Sequence, residues 1–170
     1  MNALLRAQLE LQFRTRRSLC TELAAAAREY GLPVAYVLAI ASRETGIRHI
    51  IGDRGHGIGV IQIDTRYHAI AATQKANGGW KTATGRRVLI EYGASMLARD
   101  RAWAARNWPH LTARQHLKIA ASAYNAGRGG AEAGVAIGNS DARTTNRNYG
   151  ADVLERMDVF AALLKEAVPQ

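Results

Sequence analysis

Five glycines fall within the fourteen residues from Gly46 to Gly59, a density of freely rotating backbone through which no helix continues. The stretch they occupy, GIRHIIGDRGHGIGVIQID, interrupts a chain that reads as helix on both sides. Upstream, residues 3–30 form one helical run, with Leu4, Leu5, Leu9 and Phe13 near a single face, ending at Gly31. Pro33 suits the first turn of a second helix, whose inward stripe is Val34, Val37, Leu38 and Ala41 and whose end is Gly46. Within the insert, IGVIQI reads as a short extended piece between turns. Downstream, Val88, Leu89, Tyr92, Met96 and Leu97 recur at helical spacing, with Thr84 or Gly85 as the expected cap. Thr112 followed by Gln115 predicts a capping box for the next helix, and Pro109 separates the two. Glycines 127, 129, 130, 134 and 138 mark a turned region, and Val153, Leu154, Met157, Phe160 and Leu164 build a last helix. The expected fold is mainly α, one domain with a short irregular β, glycine-rich insert.

At 170 residues the chain holds one full hydrophobic core, and 48% apolar against 22% charged residues excludes wholesale disorder. The lone Cys20 forms no internal disulfide and supplies too few ligands for structural zinc; it is expected to pack inside a helix in a reducing environment. Arg6, Glu10 and Arg14 break the apolar run at the N-terminus, so a classical secretion signal is not expected, and no run reaches the roughly 18–20 apolar residues of a membrane span. A net charge of +9 favours an anionic partner: nucleic acid, an acidic membrane face or an acidic wall polymer. The basic residues are dispersed without aromatic interleaving, which argues against nucleic acid.

The carboxylates of the insert carry the chemical signal. Glu44 follows Val37 by seven residues, Ile40 by four and Ala41 by three, so it shares the buried stripe. Desolvation there favours a protonated carboxyl, the state a general acid needs. The competing reading is a last-turn glutamate bent to solvent or paired with Arg43 or Arg48. Asp53 and Asp64 follow closely, and a protonated acid beside ionised ones is what glycoside hydrolysis requires. A calcium loop is excluded by the arginine and histidine in GDRGHGIGVIQID, and a zinc site by the scattered His49, His56 and His68. The glycines match no phosphate loop or dinucleotide fingerprint, so neither metal nor cofactor is expected.

Four motifs in order, SRETG, GDRGHGIGVIQID, SAYNAG and NYGADVLERM, resemble the landmarks of goose-type lysozymes, relatives of the soluble lytic transglycosylase superfamily. The resemblance spans roughly Pro33 to Lys165. It implies a lysozyme-like core at 33–165 with residues 1–32 as a helical extension packed on it. It further implies that Glu44 protonates the oxygen between N-acetylmuramic acid and N-acetylglucosamine, and that Asp53 and Asp64 position or activate water. Gln62, His68, Tyr124, Asn125 and Tyr149 match cleft residues that bind substrate or approach the acid. An inverting hydrolase, acting as a monomer on peptidoglycan glycan strands, is the implied activity. The alternatives are a lytic transglycosylase leaving a 1,6-anhydro sugar, and a basic non-enzymatic protein binding wall or membrane, with the N-terminal stripe touching an anionic bilayer. The interval between Glu44 and the GD turn is shorter than in vertebrate members, and their cysteines are absent, so the chain is similar to bacterial or phage forms. Synthesis in the cytoplasm and action on the wall after release, as by an endolysin, are expected.

Overall fold

The computed structural model describes residues 3–167. Seven α-helices and three short strands make up the regular structure of these residues: α1 (Ala3–Thr15), α2 (Arg17–Glu29), α3 (Val34–Thr45), β1 (Ile50–Gly52), β2 (Gly57–Gly59), β3 (Ile63–Asp64), α4 (Ala69–Ala76), α5 (Ala83–Asn107), α6 (Ala113–Ala136) and α7 (Tyr149–Glu166). The fold is mainly α with a small irregular three-stranded insert, as the glycine spacing predicts.

At the centre lies α3. Pro33 precedes its first residue, every side chain from Ala35 to Ser42 is buried, and Gly46 ends it in the left-handed conformation. Its principal partners are α7 and α2, so the stripe read from Val34, Val37, Leu38 and Ala41 is the visible part of a helix enclosed on several sides. Each fully buried Leu or Ile there, such as Leu38 and Ile40, contributes roughly 1.5–3 kcal/mol over its exposed state.

The run read as one helix over residues 3–30 is two. Arg16, at φ −124° and ψ 38°, breaks it, and the break lets the Arg16 guanidinium reach the Gly46 carbonyl at the end of α3. Most of the N-terminal stripe is spent on packing: Leu9 is fully buried and the Phe13 ring lies 6.4 Å from that of Phe160 on α7. Leu4 stays exposed. No helix of the described residues is long and apolar enough to cross a membrane.

Two further expectations need correction, and one helix is additional. The cap of α5 is Thr82, whose hydroxyl accepts from the Gly85 N–H at 3.0 Å, and neither Thr84 nor Gly85 serves. The helix α4 arises in a stretch too short for periodicity to announce it, with Ala71 its one buried residue. Finally, the capping box of Thr112 and Gln115 is present, but α6 runs on to Ala136 through glycines expected to form turns. Gly127, at φ 73°, bends the chain once, and the helix then resumes. Gly134 belongs to that second part for a packing reason: a Cβ there would stand 2.5 Å from the Asn139 carbonyl oxygen.

The three strands pair antiparallel in the order β1-β2-β3, with Ile51 opposite Ile58 and Ile58 opposite Ile63. This small sheet hangs between the end of α3 and the start of α4. Asp53 lies in the turn after β1, and Asp64 ends β3.

Candidate active site

Glu44 occupies the last turn of α3, half-buried, where its Oε1 accepts a short hydrogen bond from the Tyr149 hydroxyl. Burial pushes the carboxyl above its ordinary pKa; the Tyr149 hydrogen bond and the Arg43 charge pull the other way and are outweighed. The alternatives of solvent or an arginine partner do not describe its geometry. Arg48 turns its Nε back to the Thr45 carbonyl at 2.8 Å, and the Arg43 Nε lies 3.1 Å from Asp152 with its guanidinium 5.6 Å above the Tyr149 ring. Tyr149 itself is 2% exposed, and burial raises its hydroxyl pKa well above the phenolic range, so it acts on Glu44 as a hydrogen-bond donor.

Tyr149 is the first residue of α7, and Asp141 anchors the helix start that carries it. Asp141, 1% exposed, accepts from the Gly150 N–H (2.7 Å), the Ala151 N–H (3.0 Å) and the Ser122 hydroxyl (2.9 Å). The Thr144 hydroxyl accepts from the Tyr149 N–H at 3.2 Å. An anion at a helix N-terminus is favoured by the orphan N–H groups and the helix dipole. Asp141 was missed from the sequence, because it lies eight residues before Tyr149, outside any local capping pattern.

Asp53 follows β1 at φ 45° and Asp64 closes β3. One residue joins them. Arg66 donates from Nη2 to Asp53 Oδ2 at 2.9 Å and to Asp64 Oδ2 at 2.6 Å, while its backbone N–H reaches Asp64 Oδ1 at 2.8 Å. These bonds hold the Asp64 carboxyl below its usual range, against a smaller opposing effect of burial. Arg66 too was missed, although an arginine two residues after an aspartate is a spacing at which side chain and backbone can grip one carboxylate. Replacing it by alanine is expected to move the Asp64 titration up towards the ordinary carboxylate value. Carboxyl-carbon NMR of both proteins checks this; an unchanged Asp64 midpoint would assign the depression elsewhere.

Asp64, His68, Tyr124 and Asn125 line one cleft of about 570 Å³, together with Met96 and Arg128. The Tyr124 hydroxyl donates to the Ile61 carbonyl at 2.5 Å, tying α6 to the turn before β3, and the Asn125 Oδ1 accepts from the Thr145 N–H at 2.8 Å. His68 pairs its Nδ1 with the Tyr92 hydroxyl at 3.1 Å, and burial keeps the imidazole below its ordinary pKa. In the same cleft Arg128 donates to the largely buried Asp100 at 2.8 Å, a pair the sequence did not single out. Gln62 is placed differently. Its Nε2 donates to the Ile50 (3.2 Å) and Gly59 (2.8 Å) carbonyls, so its amide clamps the hairpin. Gly52 and Gly57 leave the room it needs, since a Cβ at either would stand 2.2 or 2.5 Å from its Oε1. Glu44 borders a separate, polar cavity, although its charge is near enough to Tyr124 to raise that hydroxyl further.

Among the described residues no group of three or more His, Cys, Asp or Glu is placed to hold a metal ion. Cys20 is buried and its thiol is pushed up to about 11, too high for a nucleophile at neutral pH.

Residues 14–162 match the family described as Lysozyme g. The chain is 35% identical to Lysozyme g of Gallus gallus over 130 residues, covering 74% of this chain and 56% of that protein. It is 32% identical to Lysozyme g of Struthio camelus over 130 residues (74% and 57%) and 30% identical to that of Takifugu rubripes over 138 residues (77% and 67%). The chain thus spans a little over half the length of the bird proteins it matches. On the extent of the family match and the identity across three quarters of its length, the chain belongs to the goose-type lysozyme family.

Proposed function

We propose that this chain is a muramidase that hydrolyses the β-1,4 bond between N-acetylmuramic acid and N-acetylglucosamine in peptidoglycan, with inversion at the anomeric carbon. The observation that carries the reading is a divergence of two carboxyls: burial raises the pKa of Glu44 and so favours its protonated form, while hydrogen bonds from Arg66 lower that of Asp64 and favour its ionised form. Pairs of acids driven apart in this way divide naturally into proton donor and base. In the proposed reaction Glu44 protonates the leaving oxygen as the glycosidic bond breaks. A water held by Asp64, with Asp53 beside it on Arg66, attacks the opposite face of the sugar and loses its proton to the carboxylate. His68, Tyr124 and Asn125 contact the glycan in the cleft, and Gln62 and Tyr149 shape the groups that do the chemistry. The +9 charge supports attraction to an anionic wall.

Digestion of purified peptidoglycan followed by mass spectrometry tests this. Fragments with ordinary reducing ends, released first as the α-anomer, are the expected products. Anhydro-muramic ends would replace hydrolysis by internal transglycosylation and remove the water-handling role of the aspartates.

A further inference from the structure

A cavity of about 390 Å³ opens where α1, α3 and α7 meet, separate from the cleft that holds Asp64. Four guanidinium groups line it, those of Arg16, Arg43, Arg48 and Arg156, against one carboxyl residue, Glu44. That carboxyl already has the Tyr149 hydroxyl as its partner. A guanidinium carries five N–H donors. Among the described residues Arg16 spends one on the Gly46 carbonyl, Arg48 spends its Nε on the Thr45 carbonyl, and Arg156 spends two on Asp152 and Ser42. The buried Nε of Arg43 sits 3.1 Å from Asp152 as an ion pair, without the alignment of a hydrogen bond. Gln12, 8% exposed, uses its Oε1 to accept from Ser42 at 2.7 Å, which leaves its Nε2 as the donor end beside Gly46.

Compensation of the α3 C-terminus explains part of this. Cations near terminal carbonyls are favourable, and Arg16 and Arg48 are so placed. Asp152 draws Arg43 and Arg156 together, since both pair with it, but one shared carboxylate does not account for a lining in which donors so outnumber acceptors. A planar carboxylate would be satisfied by one arginine fork, whereas donors arriving from three helices suit a multivalent tetrahedral anion.

We propose that this cavity is a binding site for a phosphate-type oxyanion. The cavity borders Glu44, so its occupancy is read by binding and melting, independently of turnover. Inorganic phosphate titrated into the protein, with ionic strength held constant by chloride, is expected to bind saturably and to raise the melting temperature. Arg48→Ala, at an exposed position, is expected to weaken that binding by about tenfold or more while keeping a single cooperative melting transition in chloride. Crystals soaked in phosphate are expected to hold the ion between Arg16, Arg48 and Arg156. Equal phosphate dependence in wild type and variant, or density only elsewhere, would overturn the site. Vesicles of phosphatidylglycerol and of phosphatidylcholine separate the sources. Arg48-dependent binding to the anionic vesicles identifies a lipid headgroup as occupant, and phosphate binding without it identifies a free anion.

Discussion

Glu44→Gln is expected to lower the rate of bond cleavage by about 100- to 10,000-fold, the contribution typical of a positioned general acid, while the protein folds normally. The amide keeps an oxygen to accept from Tyr149, so the contact between α3 and α7 survives and only the transferable proton is lost. The pH behaviour follows from the same shift. Because burial raises the folded-state pKa of Glu44, the protonated form is favoured by folding, and stability attributable to this group is complete below the unfolded value and is lost as pH rises through the folded one. Glutamine never ionises, so the variant is expected to be at least as stable as wild type on the alkaline side. Under the proposed mechanism, activity of the wild type is expected to fall as pH rises through the same folded pKa, and the acid limb is expected to follow Asp64, held low by Arg66. Turnover assays across pH, with melting curves on the same samples, check both statements. A glutamine variant with wild-type turnover would remove Glu44 from the mechanism.

How far the site was legible depends on whether its signal was local. The C-terminal turn of α3 could be placed because Gly46 terminates a buried stripe, and that put Glu44 at the end of a central helix before any contact was known. The capping box at Thr112 is likewise complete within four residues. What was not legible comes from contacts between distant segments. The break at Arg16 is accompanied by a reach of thirty residues to Gly46, and the helical path through Gly134 is fixed by the chain at Asn139 and Ser140 packing against it. Gln62 shows the same limit in a candidate site residue. Its motif suggests a cleft position, yet two backbone carbonyls and two glycine faces of the hairpin engage its amide. Arg66 stands two residues after Asp64, and its bridge to Asp53 exists only once the strands that carry the two aspartates have paired.

Asp141→Ala is expected to destabilise the fold by about 3 kcal/mol, a loss of roughly 6–12 °C in melting temperature for a chain of this size. The buried carboxylate accepts two backbone N–H groups at the start of α7 and the hydroxyl of the fully buried Ser122, and alanine returns none of these bonds. Water cannot readily replace them in so closed a site, so the cost is that of stranded donors. Ser122 has a single hydroxyl proton and can turn it to the Lys118 carbonyl at 3.0 Å, and Lys118, 3.5 Å from Asp141, has solvent available; the penalty therefore falls on the Gly150 and Ala151 N–H groups. Those residues directly follow Tyr149, so loosening them also loosens the hydroxyl that Glu44 accepts from. Asp141→Asn retains one carbonyl oxygen and is expected to lose about half as much stability. Thermal denaturation of the three proteins, with cleavage rates taken well below the lowest melting temperature, separates the effects. If both variants melt like wild type, the helix start is held by Thr144 and packing alone; if Asp141→Asn folds well yet cleaves slowly, Asp141 acts on catalysis through the position of Tyr149.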